Sequence, residues 1–367
     1  MEALKLEMLS PLHIGSGETL TPADFIANES EIIVLDLNKL FNMLISIGAN
    51  IDEITEILET ESYPWKKILK KYNLNPKEFE RYSLKLIGNK GKYSMQVRAF
   101  IKSGGYPYIP GSSIKGAIRT AIMYKIVKNN PELLNQAVRK LYNEVKDLNS
   151  RGIGRVIKTA DNWLEARIFG CNNRGYYEPK KDTLKGLIIR DSERISPRKL
   201  KVYGVWTIGE RGTIPQYVEG LENVKIDFEF TIDENLLKLN YGEFNGTLKD
   251  INWEFIENAL REFYEEVIKV ELREIHKYGR YRDEVLEFYQ DMQMKLESGE
   301  IPIRIGWGSG WYSTTLGVLL KTHPNFENLR RKLGLGRNPK TKKIVNDFPK
   351  TRRVANKKPL GWCFLKC

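Results

Sequence analysis

The stretch Ile109-Pro110-Gly111-Ser112-Ser113-Ile114-Lys115-Gly116-Ala117-Ile118-Arg119 takes the chain through a turn and straight into a helix. Pro110-Gly111 is a turn dipeptide. A hydroxyl of Ser112 or Ser113 is placed to accept from a free backbone N–H of the first turn. Ile114, Ile118, Ala121 and Ile122 recur at helical spacing, which predicts one apolar face on a helix from Ser113 to Val127. Lys115 falls in the first turn, where a cation opposes the helix dipole at roughly 0.3–1 kcal/mol. It shares a face with Arg119, four residues on. Two serines, free amides and two cations suit a phosphate. A capped surface helix with solvated cations accounts for the same residues, and both readings stand on these residues alone.

The rest of the chain narrows the choice. Its 367 residues, 41% hydrophobic and 29% charged, are an ordinary globular composition, long enough for two domains. No run of about 18 apolar residues is present, so no transmembrane helix is expected. Met1-Glu2-Ala3-Leu4-Lys5 does not open a signal peptide. Cys171, Cys363 and Cys367 form no C-x-x-C pair, so neither a disulfide framework nor a zinc site is expected. Together these predict a cytoplasmic protein with no metal, no cofactor and no membrane partner. The net charge of +12 is unevenly placed: from Leu329 to the end there are 13 Lys and Arg against one acid, Asp347, and the remainder is balanced. The tail, with Arg352 and Arg353, is therefore where attraction to a polyanion is expected.

Two further glycine-rich pieces flank the first. Leu12-His13-Ile14-Gly15-Ser16-Gly17 follows a strand over Ala3–Leu9 and reads as a turn whose amides and Ser16 make a small anion nest. Gly306-Trp307-Gly308-Ser309-Gly310-Trp311 follows a strand over Ile301–Ile305; its tryptophans either stack bases or sit in the core. Between them, helical patterns cover Leu37–Ile47, Asp52–Glu59, Pro64–Tyr72, Pro76–Tyr82 and Pro131–Leu148. Ser150–Lys158, with two glycines and the cations Arg151 and Arg155, reads as a linker or exposed loop and marks a domain boundary after residue 150. Strand patterns then run to Ile232, followed by helices over Asn252–Tyr278 and Arg282–Leu296. Glu254 to Glu300 holds 13 acids and 7 bases, so these helices are expected to face protein or solvent rather than phosphate.

In this order the three pieces resemble the RAMP superfamily of CRISPR-associated RNA-binding proteins. Tyr108-Ile109-Pro110-Gly111-Ser112-Ser113-Ile114-Lys115-Gly116, together with the basic end carrying Arg352-Arg353 and Pro359-Leu360-Gly361-Trp362, resembles the fifth subunits of type III-A Csm effector complexes. The resemblance implies an α+β fold of two RRM-like, ferredoxin-type βαββαβ domains. Residues 1–150 would be the first, with a helical insertion. Residues 151–367 would be the second, with an acidic helical insertion (about 252–297) and the basic tail. It implies a non-catalytic subunit that binds crRNA, caps its 3′ end, touches the neighbouring Csm backbone subunit, other Csm subunits and target RNA, and works with host nucleases that trim the guide. RNA would lie near Gly15, Ser16 and Gly17, near Gly111, Ser112, Ser113, Lys115, Gly116 and Arg119, and along Gly306, Trp307, Gly308, Ser309 and Gly310. His13, Arg151, Arg155, Arg352 and Arg353 add contacts and charge.

Two rivals remain at this level. One is a metal-independent RAMP endoribonuclease with His13 as acid/base and Asp24 as a further candidate; each residue also has a plain structural reading, His13 as a hydrogen-bonded residue and Asp24 as a turn residue. The other is a scaffold that meets its partners through the acidic helices.

Overall fold

The computed structural model describes residues 2–88, 95–171, 175–209, 215–239, 248–338, 341 and 343–366. In chain order the strands are β1 (Glu2–Met8), β2 (Gly15–Leu20), β3 (Phe25–Ala27), β4 (Glu31–Leu35), β5 (Glu80–Ile87), β6 (Val97–Phe100), β7 (Lys102–Ser103), β8 (Tyr106–Pro107), β9 (Leu187–Ile189), β10 (Lys201–Ile208), β11 (Gln216–Gly220), β12 (Lys225–Ile232), β13 (Ile301–Arg304), β14 (Arg352–Ala355), β15 (Lys358–Pro359) and β16 (Trp362–Lys366). The fold is α+β.

One sheet has five antiparallel strands in the order β13-β16-β1-β12-β9. Period-two alternation makes it. Leu4 and Leu6 of β1 stand opposite Phe228 and Ile226 of β12, all buried, while Lys5 and Glu7 face out. Helices Gly111–Lys128 and Trp253–Arg273 belong to the same core and pack on each other. The first of these is buried well beyond one face: Ile114, Ala117, Ile118, Ala121, Ile122, Met123 and Tyr124 are all inside. The expectation of a single apolar stripe is corrected to a helix enclosed on several sides.

The second sheet runs β2-β6-β11-β10-β5-β4-β3, with β14 on β10 and β15 on β14. Pairs β5–β10 and β6–β11 are parallel, the rest of the path antiparallel. A second core forms where Ile26, Ile33 and Leu35 meet helices Leu37–Ser46, Ile51–Thr60 and Pro64–Lys71 through Leu40, Leu44, Ile54, Trp65 and Ile68. Both sheets take strands from each side of residue 150. The chain ends meet where β1 pairs with β16, Leu6 opposite Leu365.

Two expectations change here. Pro76–Tyr82 is a short 3-10 turn, Pro76–Phe79, followed by β5, whose first residues pair with β4, Glu80 opposite Leu35 and Tyr82 opposite Val34. Ser150–Ile157 is a helix and not a linker. Asn149 caps it, its Oδ1 accepting from the Gly152 amide at 2.9 Å. Ile153 and Val156 then pack against Val138, Val145 and Leu329 of helices Pro131–Val145 and Phe326–Leu333. This three-helix lobe has its own small core. The glycines at 152 and 154 disguised it, since each lowers helix propensity by about 1 kcal/mol.

Candidate nucleic-acid interface

The helix of the opening stretch begins at Gly111, with Pro110 at its N-cap and no side-chain cap from its own sequence. Ser112 and Ser113 lie inside the first turn, so the expected serine cap is corrected. The Gly111 amide instead donates to Oδ1 of Asp191 at 2.9 Å, and the Ile109 amide to Oγ of Ser192 at 2.9 Å. A loop eighty residues downstream thus satisfies this terminus and sets a negative charge at its positive end. Gly111 is glycine because a Cβ there would run into the backbone oxygens of Ile189 and Arg190. Its smallness serves packing rather than a ligand.

Of the two cations, Arg119 is committed inside the protein. Nε donates to Glu165 Oε1 at 2.9 Å and Nη1 to Asp182 Oδ2 at 2.6 Å. The guanidinium lies 3.9 Å from the Phe169 ring centre and 5.5 Å from that of Tyr177. It ties its helix to helix Asn162–Phe169 and to the Tyr177–Asp182 segment, so its reading as an RNA contact is corrected to a structural one. Lys115 is half-buried and has no hydrogen bond or ion pair among the described residues. Burial lowers its pKa, Asp182 pulls it up, and Arg119 pushes it down. Its ammonium is available for an anion.

The third glycine piece closes against the first and second. Gly306, Gly308 and Gly310 have φ of 81°, 92° and 83°, a region that favours glycine. The Trp307 amide donates to the His13 carbonyl at 2.8 Å, and a Cβ on Gly306 would come within 2.5 Å of that oxygen. A cavity of about 220 Å³ is lined by Ser113, Gly116 and Thr120 from the long helix and by Gly306, Ser309, Ser313 and Thr314 from the loop that faces it. Two stretches about 190 residues apart therefore meet at one cleft, and the first glycine piece joins the third through the His13 carbonyl. Ser309 Oγ donates to the Gly306 carbonyl at 2.7 Å and stiffens the loop. The Trp307 ring carries two guanidiniums, Arg353 at 4.5 Å and Arg98 at 4.9 Å. Trp311 instead packs on Phe326 and Phe348 and belongs to the body.

Arg98 escaped the sequence reading. It is exposed on β6 between the buried Val97 and Ala99. That alternation was its only signal, and it says which way the side chain faces, not what stands beside it.

Gly15-Ser16-Gly17 does not form the expected turn. It opens β2, an exposed edge strand whose register on β6 shifts between Gly15 and Thr19. Gly17 has φ 90° and open space around it. Ser16 Oγ accepts from the Glu18 amide at 3.1 Å and donates to the Ala99 carbonyl at 3.4 Å. His13 is only 2% exposed, and its Nδ1–H donates to the Glu219 carbonyl at 2.6 Å. Burial pushes its pKa below the ordinary value, and Glu219 opposes this. The Glu219 carboxylate is fully buried and accepts from the Phe100 amide (2.7 Å), from Tyr82 OH (2.9 Å) and from Lys102. An imidazole enclosed in this way is neither a surface contact for RNA nor an accessible acid or base, so both readings of His13 are corrected. Asp24 accepts from the amide and hydroxyl of Thr21 at 2.7 and 2.9 Å and is a turn residue.

The tail also differs from its sequence reading. Arg352 is 6% exposed, with Nε on Glu271 Oε2 and Nη2 on Glu274 Oε2, both at 2.7 Å. It is buried ionic structure and not an RNA contact. Lys357, Lys358 and Lys366 pair with Glu284, Glu222 and Glu300 at 3.0, 2.9 and 2.7 Å. Three of these tail cations pair with acids of the 254–300 helical stretch or its end, so that stretch faces the chain's own C-terminus. Arg353 is half-buried on Trp307, while Arg151 and Arg155 are exposed on the three-helix lobe. Among the described residues no group of His, Cys, Asp and Glu could hold a metal, and no helix is long and apolar enough to cross a membrane.

The model of the RAMP superfamily matches residues 5–313. A curated relative from Methanocaldococcus jannaschii, CRISPR system Cms protein Csm5, is 26% identical over 98% of this chain and 87% of its own length. A second of the same name, from Streptococcus thermophilus, is 27% identical over 62% of this chain and 63% of its own. Among solved structures, a chain of a Csm–crRNA–target RNA ternary complex of a type III-A CRISPR-Cas system superposes with a TM-score of 0.82 at 36% identity, with both chains fully covered. The crystal structure of T. onnurineus Csm5 gives 0.76 at 34%, covering 98% of this chain and 99% of that one. The interlocked glycine loops thus sit in a chain that belongs to the RAMP superfamily and is a Csm5-like member of it.

Proposed function

We propose that this chain is a non-catalytic crRNA-binding subunit of a type III-A Csm ribonucleoprotein. It caps the 3′ end of the guide, contacts the neighbouring backbone subunit and other Csm subunits, meets target RNA within the assembly, and supports crRNA maturation and antiviral defence in the cytoplasm. Host nucleases that trim the guide are its further partners. The observation that carries the reading is the cleft in which the second and third glycine pieces face each other, lined by Ser113, Gly116, Thr120, Gly306 and Ser309; Lys115, on the Arg119 side of the same helix, adds a cation that is unpaired among the described residues. Glycine lets the backbone come close to a ligand, serine and threonine hydroxyls suit ribose and phosphate, and Arg98 adds exposed charge. The solved relative whose title names crRNA and target RNA supports the ligand class.

The fold fits two RRM-like units, one per sheet. In the first, β1, helix Gly111–Lys128, β9, β12, helix Trp253–Arg273 and β16 follow one another as βαββαβ, with neighbours β16-β1-β12-β9. The second sheet, with its helical insertion, is the other unit. Catalysis has no support in the locked His13.

Guide RNA titrated against the full chain at several salt concentrations tests the reading. Lys115→Ala with Arg98→Ala leaves the fold intact, weakens binding, and flattens the salt dependence by roughly 0.7 per lost phosphate contact. Unchanged affinity and slope in this pair would reject the cleft. Intact protein incubated with repeat RNA in EDTA leaves the RNA uncut; a discrete product lost on His13→Ala would restore the nuclease reading.

A further inference from the structure

The helical lobe carries a charge that the cleft does not explain. Residues 131–158 and 321–338 hold eleven Lys and Arg against four Asp and Glu, a net +7 out of the chain's +12. Beyond the lobe, Arg352, Lys357, Lys358 and Lys366 pair with acids of the chain itself, whereas many cations of the lobe do not. Arg139, Lys146, Arg151, Arg155 and Lys158 are exposed, and among the described residues none of these side chains has a hydrogen bond or ion pair. They are ordered into rows. Arg139, Tyr142 and Lys146 share one face of helix Pro131–Val145 and its cap, with the Tyr142 ring exposed. Arg151, Arg155 and Lys158 share a face of helix Ser150–Ile157 and its cap.

The rows are held in place. The lobe's core of Val138, Val145 and Leu329, with Ile153 and Val156 on it, fixes the three helices to one another. Lys332 Nζ donates to the Lys146 carbonyl at 3.3 Å, and His323 Nε2 lies 2.9 Å from Asn135 Oδ1. Several exposed, unpaired cations on two helices of one lobe raise its positive potential and favour a polyanionic partner.

The lobe also adjoins the cleft through the chain on two sides. Helix Gly111–Lys128, which lines the cleft with Ser113 and Thr120, leads within three residues into helix Pro131–Val145. The Gly306–Gly310 loop leads through Trp311–Leu320 into helix Phe326–Leu333. We infer that the lobe is a second RNA-binding surface, which holds the phosphates of a single RNA strand leaving the glycine cleft, with Tyr142 open to stack a base. Charge complementarity selects this occupant; the rows offer several separated cations and a single aromatic ring, the pattern of a phosphate track. The inference rests on the cleft reading for the direction of the strand, and not for the charge of the partner.

The test uses the full chain with oligouridylates of about 6 and about 20 nucleotides. A variant with Arg139→Gln, Arg151→Gln, Arg155→Gln and Lys158→Gln keeps its melting temperature, because all four side chains are exposed and unpaired. It binds the short RNA as before. It binds the long RNA roughly tenfold more weakly, with a salt slope shallower by about 3, four contacts at about 0.7 each. The variant with Arg139→Lys, Arg151→Lys and Arg155→Lys retains long-RNA binding. Equal long-RNA affinity and slope in the glutamine variant overturn the inference, as does a loss in the lysine variant as large as in the glutamine one. A glutamine variant that binds RNA normally but fails to join the assembled complex also overturns it, by showing that the lobe docks a protein. If Lys115→Ala with Arg98→Ala leaves both RNAs unaffected while the glutamine variant loses the long one, the cleft reading fails and the lobe stands.

Discussion

The end of the chain from Arg352 on and the three-helix lobe are both rich in Lys and Arg, and they do opposite things with them. The tail threads its cations past acids contributed from elsewhere: Arg352 onto Glu271 and Glu274, Lys358 onto Glu222, Lys366 onto Glu300. It then enters the five-stranded sheet as β16, between β13 and β1, with Trp362 and Cys363 fully buried. The lobe keeps its rows facing solvent without carboxylate partners. Linear charge density therefore does not locate a polyanion site; what locates it is the charge left unpaired after the chain has folded. Arg330 makes the point within a single helix. It is fully buried, hydrogen-bonded to Glu327 and to the carbonyls of Leu335 and Val345, while Lys332 two residues on is exposed.

The largest expected effect comes from breaking the tail's buried pairing. Arg352→Met leaves the buried Glu271 carboxylate with the Tyr278 hydroxyl at 3.2 Å and with Arg304 at 3.7 Å. Removing one partner of a buried pair costs about 3–5 kcal/mol. Urea unfolding should show that loss, and the RNA salt slope of the folded variant should stay at the parent value. A shallower slope with full stability would return Arg352 to the RNA surface.

Gly306→Ala should come next. It places a side chain at φ 81° and drives its Cβ to 2.5 Å from the His13 carbonyl. The left-handed backbone alone costs about 1–2 kcal/mol. The interlock between Trp307 and His13 opens, so stability and short-RNA binding fall together. Gly310→Ala, also at positive φ but with nothing within 4 Å of the added atom, should show the backbone strain without the clash. Equal losses in the two variants would mean that the interlock contributes nothing.

How far the sequence reveals this arrangement depends on the range of the interactions involved. The strands β1 and β12 and the long helices are visible because alternation and helical period are local. The glycine pieces are visible as pieces. Their meeting is not, because the Trp307–His13 bond joins residues at opposite ends of the chain. The cap on Gly111 was misassigned for the same reason: the nearby serines were plausible, but Asp191 does the capping. His13 looked like a candidate base because imidazole chemistry is legible in one letter, whereas the Glu219 carbonyl that fixes its tautomer is not.

Acid should separate the two basic regions more gently. Glu274 is the hub of the tail's network, paired with Arg352, Lys277 and Lys321. Burial raises its pKa, but hydrogen bonds from Lys321 and Lys277 outweigh this and hold the carboxyl at about 2. Its folded pKa is below its unfolded one, so its contribution is complete above the ordinary carboxylate range and disappears as pH falls from about 4.5 toward about 2. Glu274→Gln should flatten that part of the stability–pH curve. The lobe's exposed rows, Arg139, Lys146, Arg151, Arg155 and Lys158, have no such partner and should contribute no slope in the same window, whereas Glu327, held low by Arg330, should.

The smallest effect should come from the tail's outermost pair. Lys357 and Glu284 lie 3.0 Å apart, with the lysine side chain 67% exposed. Solvent screens such a pair, and ordering two long side chains offsets what attraction remains. Lys357→Ala should leave the melting temperature within error while Arg352→Met, five residues away, lowers it by many degrees. If instead Lys357→Ala destabilises the chain measurably, the tail is held at its surface as well as in its core. The contrast with the lobe would then lie in how many acids the body supplies, and no longer in how deeply the tail is buried.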